Sequence, residues 1–411
     1  MTTTDAGPVP VSRVLLVHRY FWPDTPPYAA MLRSIAGWLA SDGFRVTMLT
    51  SQPSYDGSVP RQPWCEAMDG AEVVRVPLLP ESKRNWVARI LNLALFSLRV
   101  GWHVLRRRYD VVMAATTPPV LVAWCASAAA RLRGSRFVYH CQDIHPEIAA
   151  GAGILSSRVA LSALRSVDRQ TCQRASAIVV LSRDMAETIR ASRGVDDERI
   201  RVINNFEIAS FRPLALLPPE LAKPPGRFRV LFAGNMGHFQ ALDTVIEAAH
   251  RLKAHSDIEF MLMGRGAKEG SLRAQAGDLL GDSVRFVGHQ PQDVAEQALA
   301  NADLGLITIS PGICRVAYPS KTMTYLKAGC PVLVVVEQDS ELAAMVRERG
   351  LGVTCAPGDA DGLAEAILTA SRQGPVTEAS RAHIRSVGGE LFSRENALKR
   401  WSALFGELGV Q

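Results

Sequence analysis

Short apolar runs alternate with stretches of helical apolar spacing along the whole sequence, and the alternation starts afresh after residue 226. The first series holds Val14–His18 (VLLVH), Val46–Leu49 (VTML), Val73–Val76, Asp110–Ala114 (DVVMA), Phe137–His140, Ala177–Leu181 (AIVVL) and Ile200–Ile203 (IRVI). Most lack the apolar–polar alternation of a strand with one wet face, as expected for strands buried on both sides. Between the first two, Ala29–Ser41 carries apolar residues at helical spacing and stops at Asp42-Gly43, which reads as a helix with a glycine stop. Strands separated by helices predict a parallel sheet covered on both faces.

Five prolines fall within the 16 residues of Phe211–Gly226 (FRPLALLPPELAKPPG). Such a stretch propagates neither helix nor central strand, and it reads as an inter-domain linker. The second series follows: Arg229–Ala233 (RVLFA), a helix over Ala241–Ala254, Glu259–Met263 (EFMLM), Val284–Val287, Leu304–Thr308 and Pro331–Val336. A chain of 411 residues exceeds one ordinary core,. The expected organisation is therefore α/β, with domains over 1–210 and 211–389 and a cleft at the carboxyl ends of both sets of strands.

A hydrophobic content of 47% with 21% charged residues excludes a disordered or fibrous chain,. The seven cysteines stand singly with no C-x-x-C pair, which argues against a disulfide framework or zinc site and for a reducing compartment. Met1–Ser12 lacks the basic-then-apolar order of a secretory signal, so the expected location is cytoplasmic. Charge is unevenly placed: residues 1–210 hold 25 Lys and Arg against 18 Asp and Glu, whereas 211–411 hold 21 against 22. The basic half shows no aromatic-interleaved nucleic-acid motif, so no nucleic-acid partner is expected. Trp86–Leu105 is the most apolar long segment, but Arg89, Arg99 and His103 interrupt it and make spanning a bilayer costly. With Arg106-Arg107-Arg108 behind it, 86–108 reads either as a peripheral contact with an anionic membrane or as a core helix with a basic end.

Gly234-Asn235-Met236-Gly237 follows the strand RVLFA and precedes a helix. Glycines there let backbone N–H groups approach a phosphate, or simply make a tight turn. Gly264-Arg265-Gly266 repeats the arrangement after EFMLM, with Glu269 where a dinucleotide fingerprint needs its third glycine,. Tyr318-Pro319-Ser320-Lys321 opens a helix that Gly329 ends; a hydroxyl and a mobile cation there suit a diphosphate, the alternative being plain capping with Lys321 in solvent. In the first half, Tyr139–Glu147 (YHCQDIHPE) crowds two histidines and two acids at a strand end, where catalytic groups sit in open α/β sheets. No second ligand cluster completes a metal site, so no metal is expected. Thr116-Thr117-Pro118-Pro119 ends another strand of the same cleft, and no G-x-S-x-G elbow is present,.

Taken in order, RVLLVHRYFWPD, TTPP, QDIHPE, ASAIVVLS, RIRVINNF, FAGNMG, MLMGRG, FVGHQPQD, ADLGLI and YPSKTMTYLKAGCPVL resemble glycosyltransferase family 4, in its bacterial exopolysaccharide and O-antigen repeat-unit branch. The resemblance implies a GT-B fold, two Rossmann-like domains facing a central cleft, with a last helix near 390–411 crossing back onto the first. It implies a retaining enzyme that moves a sugar from a nucleotide-sugar donor to a lipid-linked or saccharide acceptor, without metal or cofactor, in the cytoplasm or at the inner membrane face. Gly234, Asn235, Gly237, His238, Gly264, Arg265, Tyr318, Ser320, Lys321 and Thr324 would line the donor, with Val287 at the base. Asp143 and His145 would face the transferred sugar, and Tyr28, Thr117 and Glu147 the acceptor side.

Three positions depart from the family pattern. Its E-x7-E pair is Val316 and Thr324 here; its first-loop Gly-Gly is Pro26-Pro27, leaving Tyr28 and Ala29 to supply any N–H contact; and His238, Phe239 and Gln240 replace its Arg and Lys,. These departures keep a second reading open, a catalytically degenerate GT-B partner in a polysaccharide assembly. An epimerase lacks a suitable acid pair, and a dehydrogenase lacks the full dinucleotide fingerprint.

Overall fold

The computed structural model describes residues 11–24, 27–54, 59–80, 86–151, 153, 155–207 and 217–409. Pro26, the expected boundary at 210/211 and the first part of the proline-rich segment lie outside these residues.

In chain order the first lobe comprises β1 (Arg13–Val17), α1 (Pro27–Ser41), β2 (Arg45–Ser51), β3 (Cys65–Met68), β4 (Ala71–Val76), α2 (Trp86–Arg106), β5 (Val111–Ala115), α3 (Leu121–Arg133), β6 (Arg136–His140), α4 (Glu147–Gly151), α5 (Arg158–Arg174), β7 (Ala177–Val180), α6 (Arg183–Arg193) and β8 (Ile200–Val202). The second comprises β9 (Phe228–Ala233), α7 (Leu242–Arg251), β10 (Ile258–Met263), α8 (Glu269–Ala276), β11 (Val284–Gly288), α9 (Gln292–Ala300), β12 (Leu304–Thr308), α10 (Lys321–Lys327), β13 (Val332–Val335), α11 (Glu341–Glu348), β14 (Gly352–Cys355), α12 (Ala360–Arg372) and α13 (Glu378–Leu391). A last helix, α14 (Arg394–Gly409), ends the described chain.

The first sheet runs β3-β4-β2-β1-β5-β6-β7-β8 and the second β11-β10-β9-β12-β13-β14. All pairs are parallel except β3 with β4. That antiparallel edge strand was not legible in the sequence, because Cys-Glu-Ala-Met is short and half exposed. Elsewhere the uninterrupted apolar runs have their physical reason in the two-sided burial of each strand. Leu15, Val17, Val112 and Ala114 pack toward Phe96, Val100 and Val104 of α2 and Val122 and Ala126 of α3. Their neighbours Val14, Leu16, Val111 and Met113 point the other way, toward Leu32, Ile35 and Leu39 of α1, as the two-residue period of a strand requires. Trp401, Leu404 and Phe405 of α14 complete this second face, so the end of the chain covers the lobe in which it began.

Buried Arg229 fastens the entry to the second lobe. It pairs with Glu259 at 2.5 Å and donates to the carbonyls of Leu221 and Ala222 at 2.6 and 2.9 Å. Helix α10 starts at Lys321, three residues later than the sequence suggests.

Candidate functional site

Strand order reverses in the second sheet between β9 and β12, and the crevice outside such a reversal is where open α/β sheets take ligands. Gly234 follows β9 and Gly264 follows β10, with φ of 146° and 139°, a region that side-chain-bearing residues avoid. Contact demands glycine as well. A Cβ at Gly264 would stand 1.8 Å from the Gly234 carbonyl oxygen, and one at Gly234 would stand 2.4 Å from Lys321 Cε. The two turns are latched together, Met236 N–H to Arg265 O at 2.9 Å and Lys268 N–H to Met236 O at 3.0 Å. Together they make one rigid floor.

Lys321 reaches back over this floor. Its Nζ lies 3.2 Å from where a Gly234 Cβ would be, donates to Gln240 Oε1 at 2.6 Å and stands 4.8 Å from the Phe232 ring centroid. It has no carboxylate partner among the described residues, and burial lowers its amine pKa to about 8,. Ser320, beside it, is exposed and its hydroxyl caps no helix N–H. Thr324 is half-buried on the next turn of α10, and Tyr318 is half-buried with its ring centroid 6.2 Å from that of Phe392. Asn235 and His238 are exposed at the floor's edge; the Asn235 amide overhangs Gly237, its Nδ2 2.7 Å from where a Cβ would stand. Arg265 is exposed, and its guanidinium has no partner among the described residues. Val287 is half-buried on β11, and its carbonyl accepts from Gln290 Nε2 at 2.9 Å.

The facing wall forms at the corresponding reversal of the first sheet, between β1 and β5. Thr116, just past β5, accepts the N–H groups of Gln142 and Asp143 on its Oγ1 at 3.2 and 3.3 Å. One loop thus sets the other, a role that sequence reasoning missed in favour of the adjacent half-buried Thr117. Asp143 bridges to Ala317 in antiparallel fashion, and Ile144 N–H donates to Val316 O at 2.8 Å. The QDIHPE loop is therefore stitched to the segment leading into Lys321, which brings the two walls together. Val316, at the family's first Glu position, is buried and contributes its backbone carbonyl to this clasp. Asp143 and His145 are both half-buried. Burial raises the Asp143 carboxyl to about 6 and lowers the His145 imidazole to about 4, so at neutral pH the carboxyl is largely ionised and the ring neutral.

Two expected acceptor-side residues have other commitments. The Glu147 carboxylate pairs with buried Arg193 at 2.7 Å and with Arg165 at 2.8 Å. Arg193 also pairs with Asp168 at 2.6 Å and donates to His145 O at 2.8 Å, so Glu147 anchors the loop from beneath. Tyr28 Oη lies 2.7 Å from His140 Nδ1. His140 Nε2 lies 2.6 Å from Gln142 Nε2, and Gln142 exchanges amide bonds with Asn205 at 3.1 and 2.8 Å. Burial holds His140 neutral, its pKa down at about 3. One ring nitrogen carries the single proton of the neutral imidazole and the other accepts within this network. Among the described residues, no group of three or more His, Cys, Asp or Glu side chains is placed to hold a metal ion.

Two parallel-sheet lobes with their carboxyl ends facing across a crevice, and a last helix returned to the first lobe, define the GT-B class of glycosyltransferase. Residues 28–205 match the glycosyl transferase 4-like domain family and residues 227–373 the group 1 glycosyl transferases. The chain belongs to glycosyltransferase family 4. It is 27% identical over 300 residues to WbjE of Pseudomonas aeruginosa, described as a glycosyltransferase, covering 70% of this chain and 73% of that one. It is 26% identical over 391 residues to WcaI of Escherichia coli K12, described as a colanic acid biosynthesis glycosyl transferase, covering 89% and 92%. Among solved structures, Anabaena HepE in complex with UDP aligns over 96% of this chain and 100% of its own, with a TM-score of 0.66 and 16% identity; at that identity the match is one of fold.

Proposed function

We propose that the chain is a retaining glycosyltransferase that moves a sugar from a nucleoside-diphosphate donor to a lipid-linked or saccharide acceptor in cell-surface polysaccharide synthesis. One observation carries the donor half: a half-buried ammonium without a carboxylate partner among the described residues, aimed at a glycine floor whose tightness excludes side chains. A diphosphate supplies the missing counter-charge, and the Arg265 guanidinium and Ser320 hydroxyl are free to join it. The carbohydrate half is supported by the description of WcaI. In this reading the departing diphosphate, held by Lys321, takes the acceptor proton on the same face of the sugar, and the Asp143 carboxylate steadies positive charge developing on the sugar ring. Neither step needs a metal or a protein nucleophile.

The test is a thermal-shift series with UDP, GDP, dTDP and their sugars on the parent and on Lys321→Ala. A ligand at 100 times its Kd should stabilise the parent by about 2.7 kcal/mol and the variant much less. Buried Val316 at the family's first Glu position favours a second reading, a non-catalytic partner protein of the same fold. Calorimetry in which no nucleoside diphosphate binds would select it.

A further inference from the structure

Helix α2 is apolar on two opposite sides. Its inner side, Phe96, Val100 and Val104, is core. Its outer side exposes Val87, Leu91, Leu98, Trp102 and Leu105, with Leu98 at 68% and Trp102 at 58% exposure. Spacings of four, seven, four and three residues put these on one stripe, running from the crevice end of the lobe to its far end. There, at the amino ends of β1 and β2, a cavity of about 390 Å³ is lined by Arg13, Arg45, Arg106, Arg107 and Arg108, with Glu72 as its acid. Glu72 answers Arg107 at 3.4 Å, and Arg106 lies 4.3 Å from the Trp102 ring centroid. Arg13, Arg45, Arg106 and Arg108 have no carboxylate partner among the described residues. A second cavity of about 320 Å³ shares Arg108 and Tyr109 with the first and adds Arg133, Arg136 and the outer side chain of Leu132, with Asp110 as its acid, whose carboxylate accepts the Arg13 backbone N–H at 2.6 Å.

We infer that this end of the lobe is a phosphate-headgroup site and that, together with the α2 stripe, it seats the enzyme on an anionic bilayer. A stripe of five apolar side chains ending in arginine-lined cavities matches an interface whose acyl boundary is apolar and whose headgroups are anionic. A second copy of the chain is a poor occupant, because it would bring a like set of arginines against this one. The inference deepens the proposed lipid-linked acceptor by naming the surface that carries it. Because α2 runs against the strands, a bilayer lying along it reaches the crevice mouth at Val87 while the headgroups are gripped at the far end. No helix among the described residues is long and apolar enough to cross a membrane, so this contact is peripheral.

The experiment is vesicle co-sedimentation of the full chain, using phosphatidylcholine alone and phosphatidylcholine mixed with phosphatidylglycerol. Binding is expected only to the anionic vesicles. The triple variant Arg106→Ala, Arg107→Ala, Arg108→Ala should bind on the order of 100-fold more weakly, from roughly fivefold per surface arginine. Trp102→Asp, at an exposed position, should also lose binding while remaining folded by circular dichroism. Equal sedimentation with both vesicle types, or a triple variant that binds like the parent, would overturn the inference. So would inorganic phosphate displacing the protein from vesicles at constant ionic strength, which would assign the cavity to the free ion. Self-association that Trp102→Asp abolishes would assign the stripe to a dimer and overturn it as well. Parallel UDP thermal shifts keep the two readings apart. Lost vesicle binding with a retained UDP response falls on this surface alone, and a parent that ignores UDP falls on the proposed donor site.

Discussion

Replacing Lys321 with methionine should stabilise the free protein and weaken its hold on donor. An ordinary lysine amine titrates near 10.5 and Lys321 near 8, so holding it charged costs the folded state about 3 kcal/mol at about 1.36 kcal/mol per tenfold. The penalty is fully present below pH 8, where folded and unfolded chains both carry the ammonium. It fades between about 8 and 10.5, where the folded chain has already released the proton,. Methionine fills nearly the same space without the charge, and loss of the bond to Gln240 returns about 1 kcal/mol. The net expectation at pH 7 is a free protein more stable by about 2 kcal/mol, an advantage that shrinks as pH rises toward 10.5. The donor loses a charge-assisted contact worth about 2–3 kcal/mol, a roughly 30- to 150-fold rise in Kd. Denaturant melts at pH 7 and 10 and calorimetry with UDP measure the two halves. A variant less stable than the parent at pH 7, yet binding UDP equally well, would refute the idea of an unpaired cation stored for a diphosphate.

The transfer rate should climb as pH rises through about 6, because burial holds the Asp143 carboxyl there and in the proposed mechanism the ionised form steadies a cationic sugar; Asp143→Asn should flatten that limb, and a rate profile still rising through 6 in the variant assigns the limb elsewhere. Gly264→Ala puts a Cβ 1.8 Å from a backbone oxygen and should cost more than about 4 kcal/mol in a denaturant melt. Gly237→Ala, at an extended φ of −94°, meets only the movable Asn235 amide; it should stay within about 1 kcal/mol of the parent while UDP affinity falls in calorimetry. Glu147→Gln leaves buried Arg193 half-compensated and should cost about 3 kcal/mol, read by the same melt, and a neutral outcome would refute the anchoring role.

Much of the glycine floor was legible because its causes are local. Gly234 and Gly264 each follow an apolar strand directly, and a turn that tight has few other residues to choose from. The facing wall was only half legible. The sequence marks YHCQDIHPE as a crowded strand end, but not that Glu147 is taken by Arg193 46 positions away, nor that Thr116 rather than Thr117 receives the loop's N–H groups. Lys321 was recognisable as a cation near the turn, whereas its partner Gln240 lies 81 positions upstream.

The sequence alone determined the α/β class and the two-lobed division, because a strand buried on both faces must be apolar throughout and five prolines in a row of 16 residues break any regular element. It left α2 undecided between core and surface. Only the tertiary structure settled that α2 is both, with Phe96 inside and Leu98 outside, and that α14 rather than another chain covers the second face of the first sheet. Periodicity records which side chains need burial; which distant segment arrives to bury them depends on the packed whole.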